Sequence, residues 1–254
     1  LKVALANIGE DEMLIAGLDL ETGGAKKCKA KDNFITEIGI ALYDTDLGDT
    51  PVRLFNSLVK NEQRIDPEIS EYTGITDAHC DKYGVDAARV AQASWGILSQ
   101  ADMIVAHNGL RFDYPITGFW IDRHIPGTEF DAGKIMCDTM VDVPWDKQVR
   151  QFNLTYLAGF HEMYNPFPHR ALTDVMTMMK LFHKYPLEHI IASANTEFIC
   201  AQALVSIAEK DFAKARGFWW EAESKRWLKT MRKLKLDNES PAYEFKYQLV
   251  PIPE

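Results

Sequence analysis

Three short apolar runs fall within the first sixty residues: 13–20 (MLIAGLDL), 34–44 (FITEIGIALYD) and 52–60 (VRLFNSLVK). Each has the length of a strand, and the links between them carry Gly, Asp and Pro, so they predict an antiparallel meander. The exception is the link 23–33, which reads as a longer loop holding Lys26, Lys27, Lys29 and Lys31. The pattern then changes. Residues 87–98 place Ala87, Val90, Ala91, Trp95 and Leu98 at helical spacing, and 102–107 (DMIVAH) reads as a buried strand. Short helices are expected over 114–124 and 153–160. The clearest helix spans 169–185, with Leu172, Val175, Met176, Met179 and Phe182 forming one stripe. Strands first, then helices alternating with strands, define a mixed α/β class.

Several other classes are excluded. No apolar run approaches the ~18 residues of a membrane helix, and a content of 46% hydrophobic residues argues against wholesale disorder. Cys28, Cys80, Cys137 and Cys200 stand far apart with no Cys-x-x-Cys pair, so they read as reduced thiols and predict a cytoplasmic protein. A net charge of −9 argues against a protein that coats duplex DNA. The charge is uneven: residues 205–236 hold nine Lys/Arg against four Asp/Glu, leaving −14 on the rest. That shift divides the chain into a domain over 1–195 and a small module over 196–254.

The acidic residues carry the chemistry. Asp19 and Glu21 lie two apart on a strand, so both carboxylates share one face while Leu18 and Leu20 point into the core. Alone, such a pair is often a solvated strand end. Asp113 follows a buried strand and a glycine turn (VAHNGLRFD, 105–113), where an acid also serves as a helix cap or dipole partner. His169 and Asp174 (HRALTD, 169–174) are five residues apart, which is ~140° around a regular helix. They can serve one site only if His169 stands on the entering loop or first turn, as Pro166 and Pro168 suggest.

Taken together, LDLETGG (18–24), TEIGIALYD (36–44), GITD (74–77), VAHNGLRFD, CDT (137–139) and HRALTD resemble the DEDDh class of DnaQ-like 3′–5′ exonucleases, within the ribonuclease H-like superfamily. The segment between Asn108 and Asp113 is one residue longer than in most proofreading-type members. It is similar to the HNG-x-x-FD form of polymerase exonuclease domains. The lysine loop after Glu21 is expanded as well.

The resemblance implies a mixed five-stranded sheet flanked by helices. It also implies two divalent metal ions, Mg²⁺ or Mn²⁺, held by Asp19, Glu21, Asp113 and Asp174. Asp19 would bridge both ions. Glu21 and Asp174 would complete one site, and Asp113 would hold the other largely through water. His169 would act as general base, with release of 5′-mononucleotides. Thr22, Gly23 and Gly24 would lie beside the 3′-terminal nucleotide, with His107 and Asn108 either contacting it or positioning Asp113. The implied substrate is a single-stranded DNA 3′ end. RNA ends, or a polymerase-partner role without catalysis, are the alternatives.

The tail reads as strand (201–207), helix (208–217), strand (218–231). Its string FAKARGFWWEAESKRWLKTM resembles a small module of phage and bacterial DNA-metabolism proteins. Phe218, Trp219, Trp220 and Trp227 either stack on bases beside Lys and Arg or form a mini-core.

Overall fold

The computed structural model describes residues 12–24 and 30–252. It divides into two compact units, Leu1–Ile191 and Ala192–Glu254. That divide falls four residues ahead of the boundary read from charge. Cys80, Cys137 and Cys200 are buried. Cys28, Lys26, Lys27 and Lys29 lie outside the described residues.

In the first unit, strands β1 (Leu14–Thr22), β2 (Ile35–Asp44) and β3 (Arg53–Lys60) form the expected meander, with β1–β2 and β2–β3 antiparallel. Helices α1 (Pro67–Thr73) and α2 (Asp77–Tyr83) follow, then the two-residue strand β4 (Val85–Asp86) and helix α3 (Ala87–Leu98). Strand β5 (Met103–Ala106) leads through a turn into α4 (Asp113–His124). Next come β6 (Ile135–Asp138), α5 (Thr139–Asp142), α6 (Leu154–Phe160), α7 (Ala171–Phe182) and α8 (Leu187–Ala194), the last reaching across the divide between the units. The sheet order is β4-β3-β2-β1-β5-β6, with β1–β5 and β5–β6 parallel. Six strands stand where five were expected. The additional one is β4, whose two residues pair with Val59 and Lys60 and are too few to leave a periodic signal. α1, α2 and α5 are too short to show one either.

The two faces of β1 have different partners. Ala16, Leu18 and Leu20 pack into one large core with Val90, Leu98, Trp120 and Ile121 of α3 and α4. Alternation turns Gly17, Asp19 and Glu21 to the other face, where α7 lies. A Cβ on Gly17 would stand 2.9 Å from Val175 Cγ1, and one on Gly39 only 2.5 Å from the backbone of Ala171 and Leu172. Gly39 pairs with Asp19 across the strands. The two glycines therefore let α7 settle directly onto the strands that carry the acids. The buried residues of α7 include Ala171, Val175, Met178, Met179, Leu181 and Phe182. Leu172 and Met176 are only half-buried, so the stripe is rotated from the expected one. The helix is covered on a second side as well, where Leu181 joins Leu157 and Val149.

The second unit is a four-stranded sheet of order β10-β7-β9-β8, all antiparallel: β7 (Phe198–Leu204), β8 (Trp219–Glu221), β9 (Arg226–Arg232) and β10 (Lys246–Val250), with helices α9 (Lys210–Ala215) and α10 (Lys233–Glu239). The expected final strand 218–231 is instead a hairpin. The Glu221 carboxylate accepts the N–H groups of Glu223 and Ser224 and closes the turn. Its core holds Ile199, Ala201, Ala213, Phe218, Met231 and Leu236. Among the described residues no helix is long and apolar enough to cross a membrane.

Candidate active site

The C-terminal half of β1 presents Asp19 and Glu21 into a cleft of about 490 Å³. Asp174 arrives from the first turn of α7, and ligand oxygens of Asp19, Glu21 and Asp174 lie within 4.8 Å of one another. Both Asp174 oxygens have donors: Asn165 Nδ2 reaches Oδ1, and the His169 N–H reaches Oδ2 at 3.0 Å. Asp113 is the first residue of α4, fully buried, and its Oδ1 accepts the Leu20 N–H at 3.1 Å. The start of α4 is latched by Tyr114, whose hydroxyl donates to the Ile104 carbonyl at 2.9 Å.

The electrostatics follow from crowding. Burial, and then the charges of Asp113, Glu21 and Asp174, push the Asp19 carboxyl well above the usual range. Burial followed by the Asp174 charge raises Glu21 to about 8. Burial followed by the Asp138 charge raises Asp113 to about 8. Asp174 is also raised, chiefly by burial. Four acids so placed repel one another, and a divalent cation would relieve that repulsion. An all-oxygen donor set suits hard cations, so the residues fit the metal that the motifs imply. Asp19, Glu21 and Asp174 are the one such group among the described residues.

His169 stands two residues before α7, outside the helix, with φ +63°. That departure removes the ~140° separation a continuous helix would impose and brings His169 and Asp174 to one cleft. The His169 ring lies against Tyr72 of α1, with ring centroids 3.9 Å apart. Thr22, Gly24 and His107 also line the cleft. Gly23 is not in the lining, and a Cβ there would run into the Phe34 ring. Asn108 is not in the lining; its N–H donates to Asp138 Oδ1 at 3.0 Å. His107 Nδ1 lies 2.7 Å from Thr139 Oγ1, and burial drops its pKa to about 4.

Three groups escaped the sequence reading. Tyr72 stood just ahead of the GITD motif, yet nothing in its type or spacing marked it. Asp138, within CDT, accepts the N–H groups of both Asn108 and Leu110 and holds the turn that leads to Asp113. Glu37, within TEIGI, is fully buried and accepts Arg170 Nε at 2.9 Å, Arg170 Nη2 at 2.7 Å and the Ala171 N–H at 3.0 Å. This clasp ties the residue after His169, and the start of α7, to β2.

A mixed sheet with three antiparallel leading strands, a parallel β1–β5–β6 half and carboxylates converging on its central strand defines the ribonuclease H-like class. Residues 16–182, two thirds of the chain, match the RNase_T family, described as exonuclease. The chain belongs to that family, and the DnaQ-like resemblance drawn from its motifs is borne out. No curated protein matches it in sequence. Among solved structures it is similar to E. coli exonuclease I in complex with a dT13 oligonucleotide, at 14% identity over 79% of this chain and 50% of that one, TM-score 0.60. The same enzyme with a dA16 oligonucleotide gives 14% identity, 77% and 49% coverage and TM-score 0.59. Its zinc-bound complex with single-stranded DNA gives 16%, 68% and 40%, and 0.58. The chain spans half or less of those structures, and at such identities the likeness is one of fold.

Proposed function

We propose that this chain is a metal-dependent 3′–5′ exonuclease acting on single-stranded DNA ends and releasing 5′-mononucleotides. The observation that carries the reading is the convergence of Asp19, Glu21 and Asp174 within 4.8 Å, beside His169 and the buried Asp113. The oligonucleotide complexes of the E. coli enzyme support single-stranded DNA as the substrate class.

Asp19, Glu21 and Asp174 would hold one Mg²⁺ or Mn²⁺, and Asp113 would help hold a second. Bound there, the ions would supply the charge that activates a water and stabilises the departing 3′ oxygen. His169 accepts the proton of the attacking water on a ring nitrogen. Its backbone bond to Asp174 and its contact with Tyr72 fix the imidazole beside the acids. Thr22 and Gly24, on the cleft wall, meet the terminal nucleotide. His107 stays neutral at physiological pH and adds a polar wall without charge.

End-labelled single-stranded DNA and RNA, incubated side by side with Mg²⁺ or Mn²⁺, test this. Stepwise shortening of DNA from the 3′ end, stopped by chelator and by Asp174→Ala, is expected. Digestion in excess chelator, or shortening of RNA alone, refutes the reading.

A further inference from the structure

The C-terminal unit separates its aromatic residues into two jobs. Phe218 is 3% exposed and belongs to the core, whereas Trp220 is 49% exposed. Trp220 sits on β8 directly across from Trp227 on β9, their ring centroids 5.7 Å apart. The pair forms one wall of a groove of about 400 Å³ that also includes Ile207, Lys225 and Arg226. Ile207 is 88% exposed, so the groove lining also carries an apolar side chain in open solvent.

Charge marks this groove. Three cations elsewhere in the unit are paired with carboxylates: Arg216 with Glu244, Lys229 with Glu239 and Lys233 with Asp237. Among the described residues lining the groove there is no acid. Glu221, which faces Arg226 in the hairpin register and feels its charge, spends its carboxylate hydrogen bonds on the N–H groups of Glu223 and Ser224. An exposed indole, Trp220, backed by the half-buried Trp227 and beside two cations suits unpaired bases on a phosphate backbone: a ring stacks on a base face and the cations meet phosphate. A duplex hides its base faces and cannot use such a wall.

We propose that the groove between Trp220, Ile207 and Lys225–Arg226 is a second binding site, for single-stranded DNA, separate from the acidic cleft. The choice of DNA over RNA rests on the substrate proposed for the cleft; the site itself does not. Trp220 and Trp227 provide the stacking platform, and Lys225 and Arg226 provide the phosphate contacts. The site reads no 3′ end, so it holds strand that the cleft is not cutting. Because both sites belong to one chain, strand held here raises the concentration of ends available to the cleft.

A closed circle of single-stranded DNA has no end to offer the cleft, and it separates the two sites. Binding of a labelled circle to the full chain is followed by fluorescence anisotropy in chelator, against salt. Wild type is expected to bind. Trp220→Ala should weaken binding about 5- to 150-fold, the range for losing one stacked base. Lys225→Ala with Arg226→Ala should reduce the slope of log affinity against log salt by about 1.4. On linear strand both variants should raise KM and leave kcat unchanged, whereas Asp174→Ala should bind the circle as wild type does. Trp220→Phe, which keeps a ring, should recover most of the affinity, and matching thermal melts show that the variants fold. Unchanged circle affinity in both the Trp220→Ala and the double variant overturns the proposal, as does equal competition by duplex. If linear DNA is not digested while the circle binds through Trp220, the exonuclease reading fails and the groove stands. If digestion proceeds and the circle does not bind, the reverse holds.

Discussion

Replacing Arg170 by alanine tests how the site is held together. Glu37 lies opposite Glu21 in the β1–β2 register, and like charges facing each other across strands are destabilising. Burial alone would raise the Glu37 carboxyl, but hydrogen bonds from Arg170, Asn56 and the Ala171 N–H outweigh it and hold the group below its ordinary value. Without the guanidinium, a fully buried carboxylate keeps only the Asn56 and Ala171 donors. Breaking a buried pair costs about 3–5 kcal/mol. The Arg170 side chain is 42% exposed, so solvent screening brings the expected loss to about 2–3 kcal/mol, or about 4–12 °C in Tm. Glu37 has a lowered pKa when folded, so its contribution is present above the unfolded value near ~4.3 and is lost as pH falls through the folded value. The deficit of Arg170→Ala should therefore shrink in acid. Urea melts of wild type, Arg170→Ala, Glu37→Gln and the double variant, run at pH 7 and pH 3.5, measure it. The double variant should recover part of the loss, because no uncompensated carboxylate remains. A deficit under about 0.5 kcal/mol at pH 7, or one that grows in acid, would refute the reasoning.

Metal should stabilise the fold. At a concentration of about 100 Kd it should add about 2.7 kcal/mol, read as a rise in Tm that chelator reverses. Glu21 and Asp113, raised to about 8, keep protons in the folded metal-free chain that the unfolded chain has released, so metal-free stability should fall as pH rises towards 8. The Tm rise on adding Mg²⁺ should accordingly be larger at pH 8.5 than at pH 5.5; an equal or smaller rise contradicts the crowding of the acids. Gly39→Ala places a Cβ against the α7 backbone and should cost about 1–3 kcal/mol, with loss of nuclease activity; wild-type melting would show that α7 does not need that close approach. Tyr72→Ala should lower kcat about 2- to 10-fold, the worth of one ring contact, while Tyr72→Phe retains activity. Because Tyr72 is 60% exposed, the melting temperature should hardly move; a fall in Tm without a fall in kcat would make the contact structural only.

The sequence alone determined the α/β class, the leading meander, the hydrophobic side of β1 and the acids of the cleft. These rest on local rules: period-two alternation on β1, the 3.6-residue pattern of α3 and α7, and short motifs whose residue types are themselves the chemistry. Only the tertiary structure decided the rest. Whether His169 could join Asp174 depended on one residue adopting φ +63°, which no periodicity reveals. Tyr72 meets His169, and Glu37 clasps Arg170, across 97 and 133 positions of chain, and single-sequence patterns hold no record of such separations. The tail shows the same division. Its basic and aromatic composition was plain, but Phe218 is inside and Trp220 outside although they stand two positions apart, on the side that alternation gives to one face. Strand alternation assigns residues to faces, and only the packed sheet determines how much of each face is covered.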